Sequence, residues 1–172
     1  MKTYICQICG DAYLGHEKPT DCPFCGAHDN FIKEGKESNP IINQPTDISE
    51  LSKKNLEETL ALEIRANAIY LCMAGKADTY ELKAMYKRLA KVELEHAAVV
   101  TKLMNIQMPE IAPQECSEDD VENFRKTIEL EEHATDIYSK FAKEATEANI
   151  RIFFTALMQV EKDHIELIKN YL

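Results

Sequence analysis

With 172 residues, 45% of them hydrophobic and 29% charged, the chain has room for one ordinary domain plus a small module and the composition of a soluble globular protein. Its formal charge of −10 argues against a nucleic-acid or anionic-membrane partner. Met1 leads almost directly into Cys6 with no apolar run, so neither a signal peptide nor a transmembrane span is expected.

Composition changes near residue 48. Gly10, Gly15, Gly26 and Gly35 lie before it, as do Pro19, Pro23, Pro40 and Pro45. Residues 1–34 therefore read as a loop-rich module. Residues 35–48 read as a linker, because Pro40 and Pro45 forbid a continuous helix there. The module carries Cys6-Gln7-Ile8-Cys9-Gly10 and Cys22-Pro23-Phe24-Cys25-Gly26, with 12 residues between the two cysteine pairs. Each C-x-x-C-G is a knuckle in which backbone N–H groups face the thiolates and glycine permits the tight turn. Four thiolates at this spacing accept iron or zinc, and without secretion they indicate a metal centre in a reducing compartment, the cytoplasm. Cys72 and Cys116 stand apart from this set and read as incidental thiols.

The remainder, residues 49–172, reads as four helices. Ser49 or Ser52 can cap the first, and Gly75 is a natural stop. Asp78 with Glu81 forms a capping box for a second helix reaching about Met104. Asn105–Cys116, with Pro109 and Pro113, is a connection; Ser117 caps a third helix and Thr146 a fourth, which runs to the carboxyl end. The helices are duplicated. LEIRANAIY at Leu62–Tyr70 returns as LEEHATDIY at Leu130–Tyr138, and the same offset of 68 carries Glu93-Leu94-Glu95-His96 onto Glu161-Lys162-Asp163-His164. Ser49 and Asp78 map onto Ser117 and Thr146 by the same offset.

At 100° per residue, Glu63, Glu93, His96, Glu131, Glu161 and His164 all fall on the apolar arcs of their helices. Glu63 and Glu93 both lie roughly 20 Å from the turn that joins their helices, and the second pair repeats this. Four buried carboxylates in one layer are intolerable without cations. Two divalent ions balance the charge, two imidazoles complete the ligand set, and the carboxylate–imidazole mix suits iron or manganese rather than zinc or copper. Tyr70 and Tyr138, about two turns beyond Glu63 and Glu131, are placed to hydrogen-bond ligand carboxylates. Glu95, Glu129, Glu132 and Asp163 read as surface charge, and His16, His28 and His133 as solvated.

These motifs resemble a known family. The knuckles look like a short rubredoxin module, and the tandem Glu…Glu-x-x-His halves look like the ferritin-like di-iron domain of rubrerythrins, together covering nearly the whole chain. The cysteine module comes first, the order seen in reverse rubrerythrins. The resemblance implies a four-helix bundle with a long crossover between its second and third helices. It assigns one iron to Cys6, Cys9, Cys22 and Cys25, and an iron pair to Glu63, Glu93, His96, Glu131, Glu161 and His164. It also implies a homodimer with electron transfer between chains. Typical rubrerythrins carry a further Glu three residues after the third-helix ligand, where this chain has Ala134. The expected function is a non-haem iron oxidoreductase that reduces hydrogen peroxide, or dioxygen, to water with electrons from an external reductase. The alternative is a ferroxidase-type iron-binding protein whose knuckle is a zinc clip.

Overall fold

The computed structural model describes residues 1–172. Alternating Tyr4 and Cys6 turn inward along β1 (Lys2–Cys6), which pairs antiparallel with β2 (Ala12–Gly15) and β3 (Ile32–Glu34) in the order β2-β1-β3. This small sheet ends at Cys6 and so delivers the first knuckle. The sequence reading of a loop-rich module did not include these strands.

Residues 35–48 form short 3-10 turns at Gly35–Glu37 and Ile41–Asn43. Ile41 is buried, its N–H donates to the Gln7 carbonyl at 2.8 Å, and the Gln7 side chain accepts from Asn39 N–H at 2.7 Å. The segment is thus fastened to the first knuckle by an apolar anchor and two hydrogen bonds.

The four helices are α1 (Glu50–Lys76), α2 (Tyr80–Met104), α3 (Asp120–Glu144) and α4 (Ala148–Lys169). Ser49 caps α1 through the N–H of Ser52, as expected. The other boundaries shift by a residue or two. At α2 the cap is Thr79, whose hydroxyl accepts from Leu82 N–H, rather than Asp78. Asp119 caps α3 by accepting from Glu122 N–H at 2.8 Å, while Ser117 stays outside the helix and accepts from Asp119 N–H. The connection consequently runs to Asp119, three residues longer than expected. Thr146 does not cap α4; Glu147 holds the cap position without bonding its own helix, because its carboxylate accepts from Ser49 N–H and Ser52 Oγ at 2.6 and 2.7 Å. Gly75 does not stop α1, which continues through Lys76 to Ala77. Asn105, in the left-handed conformation at φ 52°, ends α2.

Helix α1 packs along α2, and α3 along α4, with α1 against α3 joining the two hairpins. The buried apolar side chains form two clusters. One cluster runs from Ile8 and Ile41 to Leu56, Val100, Phe141 and Phe153; the other holds Tyr70, Tyr86, Leu89, Phe124 and Ile168. Between them lie the six polar residues singled out from the repeat. None of the helices is long and apolar enough to cross a membrane.

Cys72 and Cys116 are not incidental thiols. They form a disulfide, Cα–Cα 6.0 Å, that ties the crossover to α1. His28 is likewise not merely solvated: its Nε2–H donates to Asp163 Oδ2 at 2.6 Å, so Asp163 also does more than carry surface charge. That pair helps seat the knuckles on the bundle, together with Arg88, which donates to the Phe24 carbonyl at 3.0 Å. Gly26 lies so close to α4 that a Cβ there would stand 2.9 Å from Val160 Cγ1; its φ of +76° also favours glycine.

Candidate metal centre

Cys6, Cys9, Cys22 and Cys25 are buried together. Turns bonded from Gly10 N–H to the Cys6 carbonyl and from Gly26 N–H to the Cys22 carbonyl, each 3.0 Å, fold the two knuckles. The Sγ–Sγ separations are 3.6 Å for Cys6–Cys25 and 3.7 Å for Cys9–Cys22. A tetrahedron with metal–sulfur bonds of about 2.3 Å has edges of about 3.8 Å. The four sulfurs therefore already stand where a tetrahedral ion needs them. Hydrogen bonding from Cys25, then Cys6 and Cys9, pushes the Cys22 thiol far down, whereas the bond to Cys22 pushes Cys9 far up, so the cluster divides its protons unevenly.

The acidic layer has an internal two-fold arrangement. Helix α1 supplies Glu63, α2 Glu93 and His96, α3 Glu131, and α4 Glu161 and His164; all six are buried. His96 Nδ1 lies 3.5 Å from Glu63, 3.1 Å from Glu93 Oε2 and 3.6 Å from Glu161 Oε1. His164 Nδ1 lies 3.4 Å from Glu131, 3.4 Å from Glu93 Oε1 and 3.0 Å from Glu161 Oε2. Glu93 and Glu161 thus offer one oxygen to each imidazole, while Glu63 and Glu131 each serve one. Two overlapping four-residue donor sets result: Glu63, Glu93, His96, Glu161 and Glu93, Glu131, Glu161, His164.

These donors fit a pair of cations by a test internal to the structure. Both oxygens of Glu93 and Glu161 and the Nδ1 atoms of His96 and His164 are buried without any hydrogen-bond partner. Such orphaned groups cost about 1–3 kcal/mol each, more when charged, unless something binds them. Burial pushes the Glu93 carboxyl up to about 8 and Glu161 well above the carboxylate range. Burial lowers His164, but the charges of Glu131 and Glu93 outweigh it and bring the imidazole up to about 9. Protons thus substitute for the missing positive charge.

The two tyrosines cross between the halves. Tyr70 on α1 donates to Glu131 on α3, and Tyr138 on α3 donates to Glu63 on α1. Burial, followed by the neighbouring carboxylates, raises both phenols well above their ordinary range, so both keep their protons. Beside this layer a cavity of about 30 Å³ reaches Glu63, Glu131, Ala66 and Ala134, enough for one or two water-sized molecules. Glu129 and Glu132 are exposed and take no part.

One contact of this layer lay outside sequence reasoning. His96 Nε2–H donates to the Cys25 carbonyl at 2.8 Å, joining the knuckle to the acidic layer and turning Nδ1 toward the carboxylates. A backbone carbonyl has no residue signature, so only the fold could place it.

The rubrerythrin family model matches residues 54–172. Reverse rubrerythrin-1 of Clostridium acetobutylicum is 32% identical over 113 residues, which cover 60% of this chain and 62% of that relative. The chain therefore spans less than two thirds of the relative's length. The match runs from within α1 to the carboxyl end, through every helix that contributes to the acidic layer, and on that ground the chain belongs to the rubrerythrin family.

Proposed function

We propose that this protein reduces hydrogen peroxide, with dioxygen as the alternative oxidant, to water, taking electrons from an external reductase through the four-cysteine centre. Residues 1–34 act as the rubredoxin-like module, 35–48 as the linker and 49–172 as the di-iron bundle. Cys6, Cys9, Cys22 and Cys25 would hold one iron. Glu63, Glu93, His96, Glu131, Glu161 and His164 would hold two. When bound, iron supplies one-electron redox chemistry at both places. The observation that carries the reading is the 2.8 Å hydrogen bond from His96 to the Cys25 carbonyl, which links the thiolate cage through one imidazole to the carboxylates that line an oxidant-sized cavity.

The chain's own residues supply the rest. His96 is held in the Nε2–H tautomer by Cys25, so its Nδ1 faces the carboxylates. Tyr70 and Tyr138 orient Glu131 and Glu63 and keep a proton beside each. Ala66 and Ala134 leave space at the α1–α3 seam for a small oxidant, and the buried layer excludes bulk water. A cytoplasmic location and a homodimer belong to the same proposal, supported by the free knuckle thiols and the family resemblance.

A ferroxidase reading, with zinc in the knuckle, draws on Ala134: a methyl group there keeps the donor layer symmetric, four carboxylates to two imidazoles. Visible spectroscopy separates the two. Iron-grown protein should show a ferric tetrathiolate absorbance that dithionite bleaches and peroxide restores; a colourless knuckle would defeat the relay. In stopped flow, the reduced protein should be oxidised faster by peroxide than by dioxygen, and the reverse order would favour ferroxidase chemistry.

A further inference from the structure

The Cys72–Cys116 disulfide lies outside both metal sites, and the proposed function makes no use of it. Both cysteines are half-buried. Each borders its own surface cavity. Cys72 lines one of about 520 Å³ with Ala68, Leu71 and Pro113, and Cys116 lines one of about 340 Å³ with Arg65 and Lys126. Small reagents can therefore approach the bond from either side. The crossover it anchors has little else to hold it. Residues 107–116 make no backbone–backbone hydrogen bond, and the single side-chain bond to them is Lys76 Nζ to the Cys116 carbonyl at 2.9 Å. Meanwhile the four knuckle cysteines of the same chain are free thiols, the state that metal binding requires. Surroundings that keep those thiols reduced also expose an accessible disulfide to exchange.

We propose that Cys72 and Cys116 are a redox-active pair: a dithiol that hydroperoxide oxidises to the disulfide and that a dithiol reductant restores. Cys116 sits on the loosely held crossover, at a cavity bordered by Arg65 and Lys126 as well as Glu115 and Glu122, and is assigned as the attacking sulfur. Its thiolate attacks one peroxide oxygen. The O–O bond breaks, an S–O bond forms, and hydroxide leaves with the thiol's proton as water. Cys72 then attacks the sulfenic sulfur; the S–S bond forms, the S–O bond breaks, and the second water departs. Two electrons from two sulfurs reduce one H₂O₂ to two H₂O. The reductant returns two electrons and two protons and becomes a disulfide itself.

The test uses iron-loaded protein. It is treated with excess dithiothreitol, desalted without air and divided for peroxide titration. Differential alkylation read by peptide mass follows each cysteine. Cys72 and Cys116 should be alkylated together after dithiothreitol and protected again by hydrogen peroxide added beyond the amount that the reduced metal centres consume, with the knuckle cysteines unchanged. In C72S, Cys116 should form a dimedone adduct with peroxide; in C116S, Cys72 should not. Glutamyl endopeptidase should cut after Glu110 or Glu115 at least about tenfold faster in the reduced protein. A disulfide that survives excess dithiothreitol in the native protein would overturn the proposal, as would thiols that peroxide leaves untouched. An adduct at Cys72 alone would overturn the choice of attacking sulfur.

Discussion

Glu93 and Glu161 differ from Glu63 and Glu131 in how many imidazoles their oxygens face, and this separates their expected contributions. Glu93→Gln removes a charge from both donor sets, so both ions of the pair should be lost; Glu131→Ala should cost the one beside His164 with the bundle still helical. Metal analysis with far-UV circular dichroism checks both, and full occupancy in either variant would remove that residue from the ligand set. Tyr70→Phe and Tyr138→Phe take away the hydrogen bonds behind Glu131 and Glu63, which should weaken metal binding about 10–100-fold. The two losses should match because the sites are two-fold related. Protonation gives a further prediction for the metal-free protein. Glu93 at about 8 and His164 at about 9 both sit above their unfolded values, so the folded state binds more protons between those limits. Its stability should therefore fall as pH rises from about 5 to 9, at up to about 1.4 kcal/mol per pH unit for each proton. Urea titrations of chelated protein measure the slope, and a rise across that range would contradict the assignment.

Glu147 links two elements, since the α3–α4 turn presents its carboxylate to the first turn of α1. Partial burial pushes this carboxyl up, but Ser49 N–H and then Ser52 Oγ bring it down to about 2. A depressed carboxylate adds stability above its unfolded value near 4.3, and the gain disappears as pH falls toward 2. Glu147→Gln should cost about 1 kcal/mol at pH 7, after allowance for solvent screening, and nothing near pH 2. Which element features were legible in the sequence follows a physical line. Helix identity, inward faces and the common height of the six donors came from a repeat and a 3.6-residue period, which are local properties. Cap positions slipped where two oxygens competed, as Thr79 did with Asp78 and Asp119 with Ser117. The Cys72–Cys116 bond was invisible because Cys72 lies off the core arc and nothing local fixes the path of the crossover. Seating of the knuckles was equally hidden, since it depends on backbone carbonyls and on the absence of a side chain at Gly26.

The split core sets the behaviour of the molecule as a whole. Two apolar clusters are separated by a layer that is stable only with positive charge inside it. Chelation should lower the melting temperature and broaden the transition in calorimetry. At free metal about 1,000 times Kd the loss is about 4 kcal/mol per site, on the order of 10 °C. An unchanged melting curve would mean the layer is tolerated without ions. The crossing tyrosines carry a consequence of another kind. Each hairpin contributes three donors to its own set, borrows the fourth from its counterpart, and has its outermost carboxylate steadied by the counterpart's phenol. A peptide spanning only α1 and α2 would therefore have to embrace a twin to complete a donor set, whereas the present chain carries both copies in one polypeptide.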